Sequence, residues 1–299
     1  MTDAPTIAAP AVVGFVGLGA MGLPMAKCLI RAGYQVQGFD LSQDACKELQ
    51  ETGSKVCENA ALTAQGADAV ITMLPSSAIV NKVVLDSLAD HLGGAVLIDM
   101  SSSAPAETRK LGEQLDKRGL QMVDAPVSGG VKRAADGSLA IMIGGDAACV
   151  VRVKPVLEAM GRTIFETGPL GSGHAMKALN NFVSAAGLTA ACEALIVGKK
   201  FGLDPEQMVD ILNVSTGRNN STENKIKPFV LSGTYDGGFS LGLMAKDLGV
   251  AAQLADVVEA ASPTSRLMAS LWDAAREQLQ DGADHTEINR YLETLQVHH

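Results

Sequence analysis

Gly17-Leu18-Gly19-Ala20-Met21-Gly22 follows directly on the apolar run Val12 to Val16 and opens a helix-like stretch. No other segment narrows the possible folds so far, because each glycine meets a separate steric demand of one strand–turn–helix. Gly17 lets the chain turn tightly off the strand. Gly19 removes a Cβ where backbone must approach a pyrophosphate, and Gly22 lets helix and strand pack closely. The helix N-terminus then offers free N–H groups and partial positive charge to phosphates. In a chain with 31 glycines the pattern alone is weak. A second signal follows it: Tyr34-Gln35-Val36-Gln37-Gly38-Phe39-Asp40 reads as the next strand, ending in an acid 18 residues after Gly22. A carboxylate near that spacing accepts hydrogen bonds from the adenosine ribose and repels a 2′-phosphate. The segment therefore reads as a site for NAD rather than NADP; the alternative is a solvated loop acid at Asp40.

Apolar runs at 12–17, 34–40, 69–74, 95–100, 120–124 and 139–143 alternate with helix-like patterns such as Pro24 to Ala32 and Ser42 to Thr52. Such alternation predicts an α/β fold of Rossmann type, a doubly wound, mainly parallel sheet. Arg162 to Thr167 reads as one more strand before the breaker cluster Gly168 to Gly173. Beyond it the texture changes. Ser172 to Lys200 reads as one long helix with Ser172 as its N-cap, and helical patterns continue at 205–215, 222–232, 243–259, 263–278 and 285–295. The expected organisation is a Rossmann domain over 1–169 and an all-helical domain over 170–299. Ligand clefts concentrate at such borders.

Aromatic residues make up only 4% of the chain, so the core must be built from aliphatic side chains and Met. A net charge of −9 argues against nucleic acid or an anionic membrane as partner. No run approaches the roughly 18 apolar residues of a membrane span, and Met1 to Pro10 resembles a short flexible lead-in rather than a signal peptide. Cys28, Cys46, Cys57, Cys149 and Cys192 form no CxxC pair, which suits reduced thiols in a cytoplasm. His174 and the terminal His298-His299 lack ligand spacing with any cysteine, so no structural metal is expected.

Lys177 and Asn181 lie four apart near the start of the long helix and share a face. A lysine desolvated there could exchange a proton near neutral pH, although spacing alone favours a surface lysine beside an ordinary asparagine. Asp124-Ala125-Pro126-Val127-Ser128-Gly129-Gly130 ends a strand with exposed amides beside a hydroxyl, suited to a carboxylate or simply a tight turn. Met73-Leu74-Pro75 and Asp99-Met100-Ser101-Ser102 end strands at the edge where α/β ligands bind. Lys246-Asp247 opens a later helix and reads equally as a solvated pair.

Four segments in order resemble the β-hydroxyacid dehydrogenases, the group of 3-hydroxyisobutyrate dehydrogenase, tartronate semialdehyde reductase and 6-phosphogluconate dehydrogenase. They are Gly14 to Ala26, Asp124 to Gly130, Gly171 to Asn181 and Leu243 to Gly249. The resemblance implies that Lys177 is the catalytic lysine, oriented with the substrate by Asn181. It implies that Ser128, Gly129 and Gly130 hold the substrate carboxylate, and that Leu74, Pro75, Ser102 and Lys246 border the cofactor. The family usually has threonine where Ser102 stands. The implied reaction moves a hydride between the β-hydroxyl carbon of a small 3-hydroxy acid and NAD, in a homodimer or homotetramer. The alternatives are an NADPH-dependent reductase of tartronate or succinic semialdehyde, disfavoured by Asp40, and a non-catalytic dinucleotide-binding relative. Thr216 to Ser221, with Lys132 and Arg133, suits a second acidic or hydroxylated substrate group; Lys132, Arg133 and Arg218 are equally readable as solvated charges.

Overall fold

A computed structural model describes residues 5–295; residues 1–4 of the lead-in and His298-His299 lie outside the described residues. The chain divides into two compact units, residues 1–177 and 178–299. In the first, β1 (Val12–Val16), α1 (Gly22–Arg31), β2 (Gln35–Phe39), α2 (Gln43–Gln50), β3 (Lys55–Val56), α3 (Ala60–Ala64), β4 (Ala69–Thr72), α4 (Ser77–Val83) and β5 (Val96–Asp99) alternate as expected. They are followed by α5 (Pro105–Asp116), β6 (Gln121–Asp124), β7 (Val127–Ser128), α6 (Gly130–Asp136), β8 (Leu139–Gly144), α7 (Ala147–Glu158) and β9 (Gly161–Gly168). The sheet order is β3-β2-β1-β4-β5-β6-β8-β7, with β9 on β8. Pairing is parallel except where β6 and β7 meet β8. The two-residue strands β3 and β7 escaped the sequence patterns because neither is long enough to show a period.

Helices cover both faces of the central strands, so those strands are apolar throughout instead of alternating with polar residues. Ile71 and Ile98 point into one core layer while Val70 and Leu97 point into the other. The lead-in is anchored at Ile7, while Ala8 to Pro10 are exposed. The Ile7 side chain is buried, its N–H donates to Arg152 O at 2.8 Å, and its carbonyl accepts from the Tyr34 hydroxyl.

The helix α8 (Ser172–Phe201) runs on into the second unit, which adds α9 (Pro205–Val214), α10 (Asn220–Asn224), α11 (Leu241–Val257), α12 (Pro263–Gln278) and α13 (Ile288–Thr294). The segment expected as one helix over 222–232 is instead α10 followed by a π-helical turn, Ile226–Leu231. This unit packs around Trp272, which is fully buried and donates its indole N–H to Thr189 Oγ1 at 3.0 Å. By length and composition α8 is long and apolar enough to cross a membrane, which corrects the expectation from the sequence. Its Ala185, Leu188, Cys192 and Leu195 are buried in the core of the helical unit.

Candidate active site

Parallel register aligns the carboxyl ends of the central strands. Val16 pairs with Phe39 on one side and Thr72 on the other, Thr72 with Asp99, and Asp99 with Asp124. The strand order reverses direction about β1, and ligands of such sheets bind at that switch point. There α1 begins without a side-chain cap, whereas Ser42, Asn59, Ser76 and Asp146 cap α2, α3, α4 and α7. The open N–H groups at α1 are thus left for an anion.

The glycines differ in what they do. A Cβ at Gly22 would fall 1.9 Å from Gly17 O, so this position is fixed by packing. A Cβ at Gly19 would meet nothing within 4 Å: the residue is exposed, and the space beside it is where a pyrophosphate fits. Ala20 is exposed and Met21 half-buried at the same turn, while Leu18 is buried in the core beneath it. Asp40 has a structural task at this place. Its carboxylate accepts from Leu18 N at 2.6 Å and Ser42 N at 2.7 Å, tying the glycine turn to the end of β2. These features fit a bound dinucleotide.

Beyond the strand ends, Leu74 is half-buried and Pro75 exposed, with Leu74 N donating to Ser101 Oγ at 2.9 Å. Ser102 is half-buried in the neighbouring loop. Ser128 is half-buried and Gly129 and Gly130 are exposed, with φ of 139° and 68°, a backbone path that side chains disfavour. Lys132 and Arg133 are exposed on α6, and the Arg133 side chain occupies the space a Cβ at Gly129 would need.

Behind this loop cluster lies a polar network that sequence spacing did not reveal. Thr72 Oγ1 and Ser103 Oγ donate to the two oxygens of Asp99 at 2.9 and 2.8 Å. His174 lies against Asp99 and Asp124: Nε2 is 3.7 Å from Asp99 Oδ2, and Nδ1 is 3.6 Å from Asp124 Oδ2. The ring also bonds Ser101 O at 3.0 Å and Thr108 Oγ1 at 2.8 Å. All these groups are buried. Asp124 accepts from Gly171 N and His174 N, both at 2.7 Å. It therefore caps α8 from another strand. Ser172, expected as the N-cap, lies inside the helix with its hydroxyl on Thr167 Oγ1 at 2.8 Å. Burial pushes the Asp124 carboxyl up, opposed by the neighbouring His174 and by the amides it accepts from. Gly173 permits the approach, since a Cβ there would fall 2.2 Å from Met142 O. The network fixes the start of α8, and Lys177, one turn after His174, is buried at 9% exposure. The available signal was a histidine three residues before Lys177 together with acids at the ends of two adjacent strands.

In the helical unit Asn181 is buried, and its Nδ2 donates to Asp247 Oδ2 at 2.6 Å. Lys246, half-buried, stands 3.3 Å from Asp247 Oδ1. Asp247 is itself buried, so Lys246-Asp247 is no solvated pair; the carboxylate orients the Asn181 amide. Arg218 is 64% exposed and pairs with Glu223 at 3.7 Å.

An uncapped glycine turn at the switch point of a doubly wound sheet, followed by an all-helical unit, fits a dinucleotide-binding protein. Residues 12–168 match the family model of the NAD-binding domain of 6-phosphogluconate dehydrogenase. Residues 171–292 match the NAD-binding domain of NADP-dependent 3-hydroxyisobutyrate dehydrogenase. The chain is 37% identical to 2-(hydroxymethyl)glutarate dehydrogenase of Eubacterium barkeri, over 88% of this chain and 89% of that one. It is also 37% identical to an NAD-dependent L-serine dehydrogenase of Pseudomonas aeruginosa, over 95% and 98%. The solved Mycobacterium tuberculosis 3-hydroxyisobutyrate dehydrogenase with L-serine superposes with a TM-score of 0.87 at 32% identity, covering 95% of this chain and 99% of that one. The chain belongs to the 3-hydroxyisobutyrate dehydrogenase-like family of NAD(P)-dependent oxidoreductases.

Proposed function

We propose that this protein oxidises a small acid bearing its hydroxyl on the carbon β to the carboxylate, with NAD as acceptor and Lys177 as general acid and base. The compounds in the relatives' names, 3-hydroxyisobutyrate, L-serine and 2-(hydroxymethyl)glutarate, share one core. Each carries a hydroxymethyl group on the carbon next to a carboxylate, and they differ only in that carbon's other substituent. The observation that carries the reading is the buried lysine on a helix whose start is locked by Asp124 and His174.

The bound nicotinamide supplies the hydride acceptor. Ser128 and the amides of Gly129 and Gly130 hold the substrate carboxylate. Lys177 Nζ takes the hydroxyl proton during oxidation and returns it in reduction. Asn181, its amide fixed by Asp247, orients the lysine and the substrate hydroxyl. Gly17 to Gly22 receive the pyrophosphate, while Leu74, Pro75, Ser102 and Lys246 border the cofactor. Asp40 favours NAD over NADP because a 2′-phosphate beside its carboxylate is repelled.

The exposed apolar side chains Met176, Leu179, Val183, Val197 and Phe201 recur at helical spacing along α8, which supports a homo-oligomer formed through this stripe. The five unpaired cysteines support residence in a reducing cytoplasm.

Initial rates with NAD and NADP across 3-hydroxyisobutyrate, L-serine, 2-(hydroxymethyl)glutarate and glycerate test the reading. Turnover of such an acid with NAD is expected. Lys177→Ala should lower kcat about 10²- to 10⁴-fold with NADH affinity kept. A variant with the wild-type rate would overturn the assigned role, and a preference for NADP would overturn the role of Asp40.

A further inference from the structure

The polar face of α8 does not stop at Asn181. Ser184 follows three residues later, so that Lys177, Asn181 and Ser184 form one stripe at spacings of four and three. Within the helical unit Ser184 Oγ accepts a hydrogen bond from Lys225 Nζ at 3.2 Å. Lys225 terminates α10, its N–H bonded to Ser221 O at 2.9 Å, so the two side chains lie one turn apart. The Ser221 hydroxyl is buried and has no hydrogen-bond partner among the described residues.

Two polar groups are thus left underused, the half-buried Lys225 ammonium and the buried Ser221 hydroxyl. An ammonium has three donors, and that of Lys225 meets a neutral hydroxyl; no carboxylate forms an ion pair with it among the described residues. Asp284, whose charge reaches Lys225, is committed elsewhere. It accepts from Phe239 N and from Thr286 N and Oγ1, and lies 3.2 Å from His285 Nδ1. Burial pushes the Lys225 ammonium down, opposed by Asp284. A partly desolvated cation without a counter-ion and a buried hydroxyl without a partner both carry a cost, and an anion bound at Lys225 would supply the missing charge. Arg218 is held in its exposed pair with Glu223, and Lys132 and Arg133 are exposed on α6.

We propose that Lys225, Ser184 and Ser221 form a second anion subsite, which takes a carboxylate carried by the substituent on the substrate's α-carbon. The preferred substrates are then hydroxy dicarboxylic acids. The inference rests on the hydroxy-acid reading above and selects within it.

The test titrates the purified full-length protein, loaded with NADH, with glutarate and with butyrate, which differ by one carboxylate. Glutarate should bind about 10- to 100-fold more tightly, the range of a charged hydrogen bond. Lys225→Met should erase that preference and Lys225→Arg should keep part of it. If Lys225→Met does not fold, Ser184→Ala must lower the glutarate-to-butyrate ratio by about threefold or more, as loss of one hydrogen bond does. Equal affinities in the wild type, or a preference that survives in Lys225→Met or Ser184→Ala, would overturn the subsite. No turnover enters this comparison, so a protein that oxidises no hydroxy acid would refute the functional reading without altering this result.

Discussion

Gly19 and Gly22 are three residues apart in one motif and answer to different constraints. A methyl group at Gly22 meets Gly17 O at 1.9 Å, inside any tolerable contact, while one at Gly19 enters open space. Gly22→Ala should therefore destabilise the first unit by about 2–4 kcal/mol, in the range of overpacked or strained core sites. Gly19→Ala should leave stability within about 0.5 kcal/mol, as surface substitutions do, yet weaken NADH binding about tenfold or more by crowding the pyrophosphate. Urea melts and NADH titrations on both variants separate the two roles. The motif itself was legible in the sequence because its spacing is local. What each glycine touches was not, since Gly17 O reaches Gly22 only after the turn has closed.

Among the elements, α8 and the short turn at Asp284 show how far helix ends depend on their surroundings. The sequence offers Ser172 as a cap, but Asp124 takes the task from 47 residues away because β6 ends where α8 begins. At the 3₁₀ turn His285–Glu287 the cap is local, and a capping box joins Asp284 and Glu287. Burial alone would raise the Asp284 carboxyl; hydrogen bonds from His285 and Thr286 overcome it and hold the group far below its ordinary 3.8. A carboxyl depressed on folding stabilises the native state above its unfolded value and loses that contribution as pH falls below it. Asp284→Ala should cost about 1–2 kcal/mol near pH 7, as caps do. The gap between wild type and variant should narrow by about 1 kcal/mol from pH 5 to pH 3. Trp272, the single tryptophan, sits in the same unit and reports its unfolding by fluorescence. A gap that does not change with pH would remove Asp284 as the source.

For the molecule as a whole, charge and exposed apolar surface point in different directions. A net charge of −9 opposes association of free chains, whereas the proposed homo-oligomer would form through the exposed apolar stripe from Met176 to Phe201 along α8. Val197 is 67% exposed, so a glutamate there leaves the fold of one chain undisturbed. Val197→Glu should convert a dimer or tetramer to monomers, as read by light scattering on a sizing column. A wild-type monomer at micromolar concentration, or a variant that still associates, would exclude the stripe as the interface.

The sequence by itself determined what depends on neighbours along the chain. The glycine turn, the alternation of strand and helix, the change to an all-helical texture and the shared helical face of Lys177 and Asn181 all follow from local sterics and periodicity. Tertiary structure decided what depends on residues far apart in sequence. Strand register set Thr72, Asp99 and Asp124 in one row, which allowed His174 to close the network and Asp124 to cap α8. Packing of the helical unit brought Lys225 to Ser184, 41 residues apart. A hydrogen bond acts over about 3 Å, so a polar site gathered from distant segments has no period to betray it. Only the completed fold brings its members within reach.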